Sequence, residues 1–144
     1  MSNERTLLWE EEIKTRWGDM DSLGHVNNAV YLSYFEQART GWFDSLRKDG
    51  GSVTGADPNG PVLVHTSCTY LRPVHHPARL LVRLYGEGPG RSSFGTSYEV
   101  RDADDPEILY TTGDAKIVWI DFQSNRPIPV PEGIRALLPR AEAA

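Results

Sequence analysis

One segment with the period of a helix stands among segments with the pattern of β-strands, and this limits the fold more than any other feature. From Ala29 to about Arg47, apolar side chains recur every three to four residues, as on one face of a helix. So wide an apolar stripe indicates a helix buried on more than one side. The Asp-Gly-Gly run at 49–51 is expected to end it, because glycine suits the left-handed turn after a helix. The apolar positions are Tyr31, Tyr34, Phe35, Ala38, Trp42 and Leu46, widened by Val30 and Phe43.

The segments around this helix have the shorter period of strands. One, at 7–17, precedes it, and four follow at 61–74, 79–88, 91–102 and 108–121. Turn sequences between the later segments have the spacing of antiparallel hairpins, and the proline-rich tail leaves room for one or two helical turns. The sequence offers only one long helix to cover a large antiparallel sheet. We therefore expect an α+β fold in which the sheet wraps around that central helix.

Composition favours one ordinary globular domain over residues 1–144. Hydrophobic residues make up 39% and charged residues 24% of the chain, unlike a disordered protein. The net charge of -5 argues against nucleic acid as the main partner, since phosphate binding needs a basic face. A single cysteine, Cys68, and the lack of a signal-like or membrane-spanning apolar run predict a cytoplasmic protein with no membrane segment.

A dense polar loop, Gly-Asp-Met-Asp-Ser-Leu-Gly-His-Val-Asn-Asn at 18–28, leads directly into the apolar helix. An aspartate in such a place is commonly a turn residue, and Asn27 or Asn28 could cap the helix. Asp19 is expected to be structural, paired with Arg16 or bonded to loop amides. A charged loop at the start of a buried helix could equally hold an active site.

Three blocks of sequence carry a family resemblance. The first runs from Arg16 to Arg39, the second is Cys-Thr-Tyr-Leu-Arg-Pro-Val at 68–74 with His-Pro at 76–77, and the third is Gly-Arg-Ser-Ser-Phe at 90–94. Together they resemble the hotdog-fold acyl-CoA thioesterases, in the branch of 4-hydroxybenzoyl-CoA thioesterase and the bacterial long-chain acyl-CoA thioesterases. The resemblance implies a hotdog fold that pairs two chains, as a homodimer or homotetramer, with sites at the dimer interface.

The resemblance assigns catalytic roles in the polar loop. Asp21 matches the family's catalytic carboxylate, which could attack the thioester carbon or take a proton from water. The backbone amide of Asn28, at the positive end of the helix, matches the group that binds the thioester oxygen. His25 could orient substrate or water, or could simply pack against its neighbours. A histidine here resembles the fatty acyl branch, whereas the aryl-CoA enzymes tend to carry an aliphatic residue.

Substrate contacts are expected from a second set of residues. Tyr31 is expected in core or dimer packing or in the wall of an acyl pocket. Arginines should meet the phosphates of coenzyme A, and Arg72 and Arg91 are candidates together with Arg79, Arg83 and the hydroxyl of Ser92. The histidines show no pattern of metal ligands, so no metal is predicted, and coenzyme A enters as part of the substrate rather than as a cofactor.

The function that these residues predict is hydrolysis of an acyl-CoA thioester to a carboxylic acid and free coenzyme A. A carrier protein in place of coenzyme A stays open. One alternative is a non-catalytic acyl-binding hotdog dimer. Another is an acyl dehydratase or hydratase, which the absence of a His-Phe-Pro-Gly type motif disfavours. A serine hydrolase is disfavoured because no Gly-x-Ser-x-Gly elbow is present.

Overall fold

A computed structural model of the chain describes residues 4–47 and 57–140. Its strands are β1 Arg5–Lys14, β2 Asn59–Tyr70, β3 Arg79–Glu87, β4 Ser93–Asp102, β5 Leu109–Asp121 and β6 Arg126–Pro127, and its helices are α1 Val30–Ser45 and α2 Glu132–Arg135. The main sheet is antiparallel, with the strand order β1-β3-β4-β5-β2, and the short β6 pairs with β5. One long helix, α1, crosses the described part of this sheet, which confirms the α+β architecture expected from the sequence.

The core lies between α1 and the concave face of the sheet. Phe35 of α1 stacks on Tyr98 of β4, with ring centroids 4.6 Å apart and an interplanar angle of 15°. The predicted alternation along β4 is confirmed, since its inward side chains are all at most 2% exposed. The predicted helix face is confirmed from Tyr31 to Trp42. It is wrong at Leu46, which is 38% exposed because α1 ends at Ser45.

Helix α1 approaches β1 closely at Gly41. A Cβ atom there would lie 2.8 Å from Nε1 of Trp9 and closer still to the carboxylate of Glu11. These two β1 side chains are themselves joined by a 3.0 Å hydrogen bond from Trp9 Nε1 to Glu11 Oε1. Any side chain at position 41 would displace this Trp9–Glu11 pair, so glycine lets the helix lie close to the strand without disturbing it.

Several predicted boundaries need correction. The first strand stops at Lys14 rather than residue 17, because a 3-10 turn at Trp17–Asp19 reverses the chain and leaves Trp17 80% exposed. The second strand ends at Tyr70 rather than residue 74, because the chain then turns back with both Leu71 N and Arg72 N donating to Tyr110 O. The predicted helix stop at 49–51 lies outside the described residues.

Strand β2 forms one edge of the described sheet, with β5 as its neighbour on one side only. Apolar side chains along and just beyond it face outward, and Val64 and Leu71 are each 54% exposed. An open edge with apolar side chains is suited to pairing with another chain. None of the described helices has the length and apolarity needed to span a bilayer.

Candidate functional site

The loop between β1 and α1 closes on itself before the helix begins. Met20 and Val26 form an isolated antiparallel bridge. Inside this bridge, Asp21 N donates to His25 O at 2.7 Å, and Gly24 N donates to Asp21 O at 3.1 Å. Gly24 has a φ of 79°, a left-handed conformation that glycine adopts without steric cost. These bonds hold the Asp21 side chain in a defined position ahead of α1.

The carboxylate of Asp21 is only partly used by the loop. Its Oδ1 accepts hydrogen bonds from Leu23 N at 2.9 Å and from His25 N at 3.2 Å, while Oδ2 accepts none from the described residues. The side chain is half-buried. Asp21 is therefore a turn residue, as the simpler interpretation of the sequence expects, and it also keeps one oxygen available for a ligand.

Asp19, two residues earlier, is a structural acid. It is 2% exposed, and its carboxylate accepts bonds from Arg16 N, from the Arg16 guanidinium and from the phenol of Tyr34 at 2.8 Å. Burial alone would raise the pKa of Asp19, but the bonds from Tyr34 and Arg16 outweigh it and hold the pKa below its ordinary value. The pairing of Asp19 with Arg16 that the sequence suggests is confirmed.

The start of α1 separates the roles of its two asparagines. Asn27 Oδ1 accepts from Ala29 N at 2.9 Å and Asn27 O accepts from Val30 N at 2.9 Å, so Asn27 satisfies the first donors of the turn. The carbonyl of the exposed Asn28 accepts the phenol of Tyr70 at 2.7 Å. Within the described part of the chain, the backbone N–H of Asn28 has no hydrogen-bond partner. A donor at the positive end of a helix is thus left for a ligand.

Electrostatics connect Asp21 to the first turn of α1. Burial raises the pKa of the Tyr31 phenol, and the negative charge of Asp21 adds to that rise. The carboxylate therefore lies within interaction range of the helix start. Tyr31 itself is 2% exposed and packs edge-on against Tyr34 and Tyr70, with centroids 6.0 and 5.2 Å away. It supports this region from the core, and direct contact with substrate stays a prediction.

A second histidine joins His25 at the loop. His25 and His75 form an antiparallel bridge, and their rings meet edge to face with centroids 4.8 Å apart. His75 also lines a cavity of about 580 Å³ with Lys14, Thr15 and Arg79. Neither His75 nor Tyr70 is selected by sequence reasoning. The signal for them is their position in the sequence: Tyr70 lies inside the second family-like block at 68–74, and His75 lies between that block and His-Pro at 76–77.

The predicted phosphate contacts lie at two ends of the sheet. Arg72 follows β2 at the same end as Asn28, and it is exposed. Arg91 and Ser92 lie in the β3–β4 turn, where Ser92 O accepts from Trp119 N at 2.8 Å. The two ends are separated along β5 by the segment Thr111–Val118, about 24 Å of strand. A single chain does not bring Arg91 and Ser92 to Asp21.

The remaining chemistry-bearing groups do not form a second centre at this loop. Burial raises the pKa of the half-buried Cys68 thiol, which favours the thiol over the nucleophilic thiolate. Among residues 4–47 and 57–140, no three His, Cys, Asp or Glu side chains are grouped to hold a metal ion.

Comparison with known proteins identifies the family to which the chain belongs. A family model described as the thioesterase-like superfamily matches residues 15–138. The chain is similar to the structure of a proposed thioesterase from Pseudomonas aeruginosa, with 43% identity, a TM-score of 0.83, and coverage of 91% of this chain and 98% of that one. It is also similar to a thioesterase from Thermus thermophilus solved with coenzyme A and zinc, at 31% identity, a TM-score of 0.75 and 92% coverage of each chain.

Two curated relatives act on different thioesters. A 1,4-dihydroxy-2-naphthoyl-CoA hydrolase of a Synechococcus strain is 30% identical over 135 residues, covering 88% of this chain and 87% of that protein. An acyl-acyl carrier protein thioesterase of Arabidopsis thaliana chloroplasts is also 30% identical, over 131 residues and 88% of this chain. The chain spans only 65% of the length of that plant protein.

Proposed function

The chain belongs to the thioesterase-like superfamily and has the hotdog fold, and from that premise we propose that it hydrolyses acyl-coenzyme A thioesters to a carboxylic acid and free coenzyme A. One observation carries the proposal. Asp21 Oδ2 and the Asn28 N–H, both free of hydrogen bonds from the described residues, lie at opposite ends of one short loop at the positive end of α1. The naming of a CoA hydrolase among the relatives supports coenzyme A as the leaving group.

In this proposal the Asn28 amide supplies the positive potential. As the thioester carbonyl becomes tetrahedral, its oxygen gains negative charge, and an N–H aimed at it lowers the barrier. The helix adds roughly half a positive charge at the same place. Loss of one such donor costs about 2.7–4 kcal/mol of transition-state stabilisation in other enzymes. Tyr70 supports the arrangement because its bond to Asn28 O holds in place the residue that carries this donor.

Asp21 then supplies the negative group, by one of two routes. In the first, Oδ2 attacks the thioester carbon and the C–S bond breaks, so coenzyme A leaves as a thiolate and the acyl group remains on Asp21 as a mixed anhydride, which water then hydrolyses. In the second, Oδ2 takes a proton from a water molecule that attacks the same carbon. Both routes consume one water and release one acid and one thiol. His25, with its ring against His75, would orient the water or the substrate.

Two chains would complete this site. A two-fold pairing of open β2 edges is antiparallel, so the far end of one sheet meets the near end of the other. The turn of one copy that carries Arg91 and Ser92 would then approach the Asp21 loop of the other copy. Arg72 of that other copy lies at the same end of the sheet as its Asp21 loop. In this arrangement the three residues act together on the phosphates of coenzyme A.

A panel of acyl-CoA substrates tests the proposal. Wild-type protein is incubated with saturated acyl-CoAs of increasing length, an aromatic acyl-CoA and an acyl carrier protein thioester, and released thiol is measured. We expect thiol release from at least one acyl-CoA well above the rate without protein. Release from none of them would overturn the proposal in favour of a binding protein, and hydration of an enoyl-CoA would favour a hydratase.

A further inference from the structure

Arg39, in the middle of α1, is a buried cation without a carboxylate partner in the described chain. It is 8% exposed, and its one hydrogen bond within the described residues runs from Nη1 to the phenol of Tyr98 at 3.1 Å. None of the ion pairs among residues 4–47 and 57–140 includes it. A guanidinium has five N–H donors, so most of the hydrogen-bonding capacity of Arg39 is not used by these residues. Its other nitrogens are not fully buried, so a partner can reach them.

A chain of hydrogen bonds fixes the guanidinium in place. Thr96 donates to Ala115 O at 2.9 Å, so Thr96 Oγ1 must accept the proton of the Tyr98 phenol at 2.7 Å. The phenol oxygen is then left to accept from Arg39. The donor and the acceptor of each hydrogen bond in this series are thereby fixed. Arg39 is therefore anchored to the sheet through Nη1, beside the cavity that it lines.

That cavity lies between α1 and the start of β2. It has a volume of about 240 Å³, and its walls include Phe43, Leu63 and Ile117 as well as Arg39 and Glu36. Glu36 is exposed, and no ion pair within 4.0 Å joins it to Arg39. One wall of the cavity thus belongs to the open edge strand, next to the outward-facing Leu63 and Val64, which are 42% and 54% exposed.

We propose that Arg39 of each copy pairs with Glu36 of a second copy, so that two reciprocal ion pairs join the helices beside the paired β2 edges. Glu36 and Arg39 lie one turn apart on the same helix face. A two-fold axis through the middle of that turn places Glu36 of each copy opposite Arg39 of the other, as a self-complementary interface requires. The pair also sets the register of the two β2 edges.

A free carboxylate ligand is the competing occupant, and the charges disfavour it. Glu36 lies in the same cavity as Arg39, so it repels any anion that enters from solvent. A second copy brings a carboxylate and also a cation that neutralises Glu36. The apolar surface of Leu63 and Val64 would be covered by the same contact.

Charge reversal tests the proposal without reference to catalysis. Glu36→Arg places two cations, and Arg39→Glu two anions, at each of the two reciprocal contacts, and we expect each variant alone to dimerise at least about tenfold more weakly than wild type. Mixing the two variants brings opposite charges together again, and we expect heterodimers by light scattering and by co-purification of one tagged variant. Gln37→Arg is the matched control, because Gln37 borders a different cavity, beside β1, and we expect it to leave dimerisation unchanged.

The outcomes separate the interpretations. A monomeric wild type, full dimerisation of Glu36→Arg, or failure of two folded variants to form heterodimers would overturn the proposal. Circular dichroism checks folding. If Arg39→Glu does not fold, Glu36→Arg mixed with wild type carries the test, because a mixed dimer keeps one of the two ion pairs. We then expect mixed dimers weaker than wild type but stronger than dimers of Glu36→Arg alone, and mixed dimers no stronger than those of the variant would contradict the proposal. If the Arg39→Glu variant stays dimeric but binds acetate more weakly than wild type, the cavity is a site for a free carboxylate instead.

Discussion

The phenol of Tyr70 donates a 2.7 Å hydrogen bond to the backbone carbonyl of Asn28. Tyr70 is the last residue of β2, and Asn28 lies just before α1. The bond therefore ties the open edge of the sheet to Asn28, whose own N–H, on the preceding peptide, we assign to the thioester oxygen. In the proposed dimer, the strand that pairs with the second copy also helps to position this catalytic residue.

Tyr70→Phe tests this connection. The change removes one hydrogen bond of a half-exposed phenol, so we expect a loss of about 0.5–1.5 kcal/mol in the free energy of unfolding and a fall in kcat larger than the rise in KM. Urea titration and steady-state thiol release measure the two effects. Tyr85→Phe, whose phenol bonds Glu99 on another part of the sheet, should keep the wild-type kcat.

The same phenol gives a pH dependence at the alkaline end. Burial, with help from Cys68, raises the pKa of Tyr70 to about 12. The folded pKa lies above the unfolded value, so the contribution of Tyr70 is complete below about pH 10 and is lost as the pH rises toward 12. Unfolding curves of wild type and Tyr70→Phe should therefore converge over this range, and a constant difference up to pH 12 would contradict the assignment.

Asp19→Asn should damage the fold rather than the chemistry. The amide cannot keep the charge-assisted bonds from Arg16, so we expect a loss of about 1–3 kcal/mol at pH 7. Because the folded pKa of Asp19 is lowered, its contribution is present above the unfolded value of about 3.9 and is lost as the pH falls through the folded pKa. Wild type and variant should therefore differ in urea midpoint at pH 7 and approach each other below pH 4.

Gly41→Ala should separate the central helix from β1. The added methyl would meet Trp9 and Glu11, and overpacking of this kind costs about 1–3 kcal/mol. Thermal unfolding measures the loss. Gly133→Ala in α2 is the control, because nothing lies within 4 Å of its added Cβ, and its melting temperature should change little.

Periodic patterns in the sequence predict most of the fold. They fail where a single contact determines the end of an element or the burial of a side chain. The helix face and the alternation of Phe94 to Val100 are set by burial, which repeats along the element, so the sequence shows them. The end of β1 depends on the bonds of Asp19, and the burial of Arg39 depends on Tyr98 of a distant strand. Such contacts join residues far apart in sequence and leave no period to detect.

The candidate site divides in the same way. The family motif points to Asp21, His25 and Asn28, which the structure places around one loop. His75 and Tyr70 reach that loop through the turn after β2, so only the tertiary structure brings them there. The sequence also cannot show that Arg91 and Ser92 lie at the far end of the sheet, because this follows from strand register.

Thiol release by Asp21→Asn tests the central claim most directly. Asparagine keeps an oxygen that can accept from Leu23 N and His25 N, so the loop and the melting temperature should be preserved while the negative charge is lost. The account predicts that kcat/KM falls about 10²–10⁴-fold on the best acyl-CoA, with a wild-type circular dichroism spectrum. A folded variant that releases thiol at the wild-type rate would contradict it.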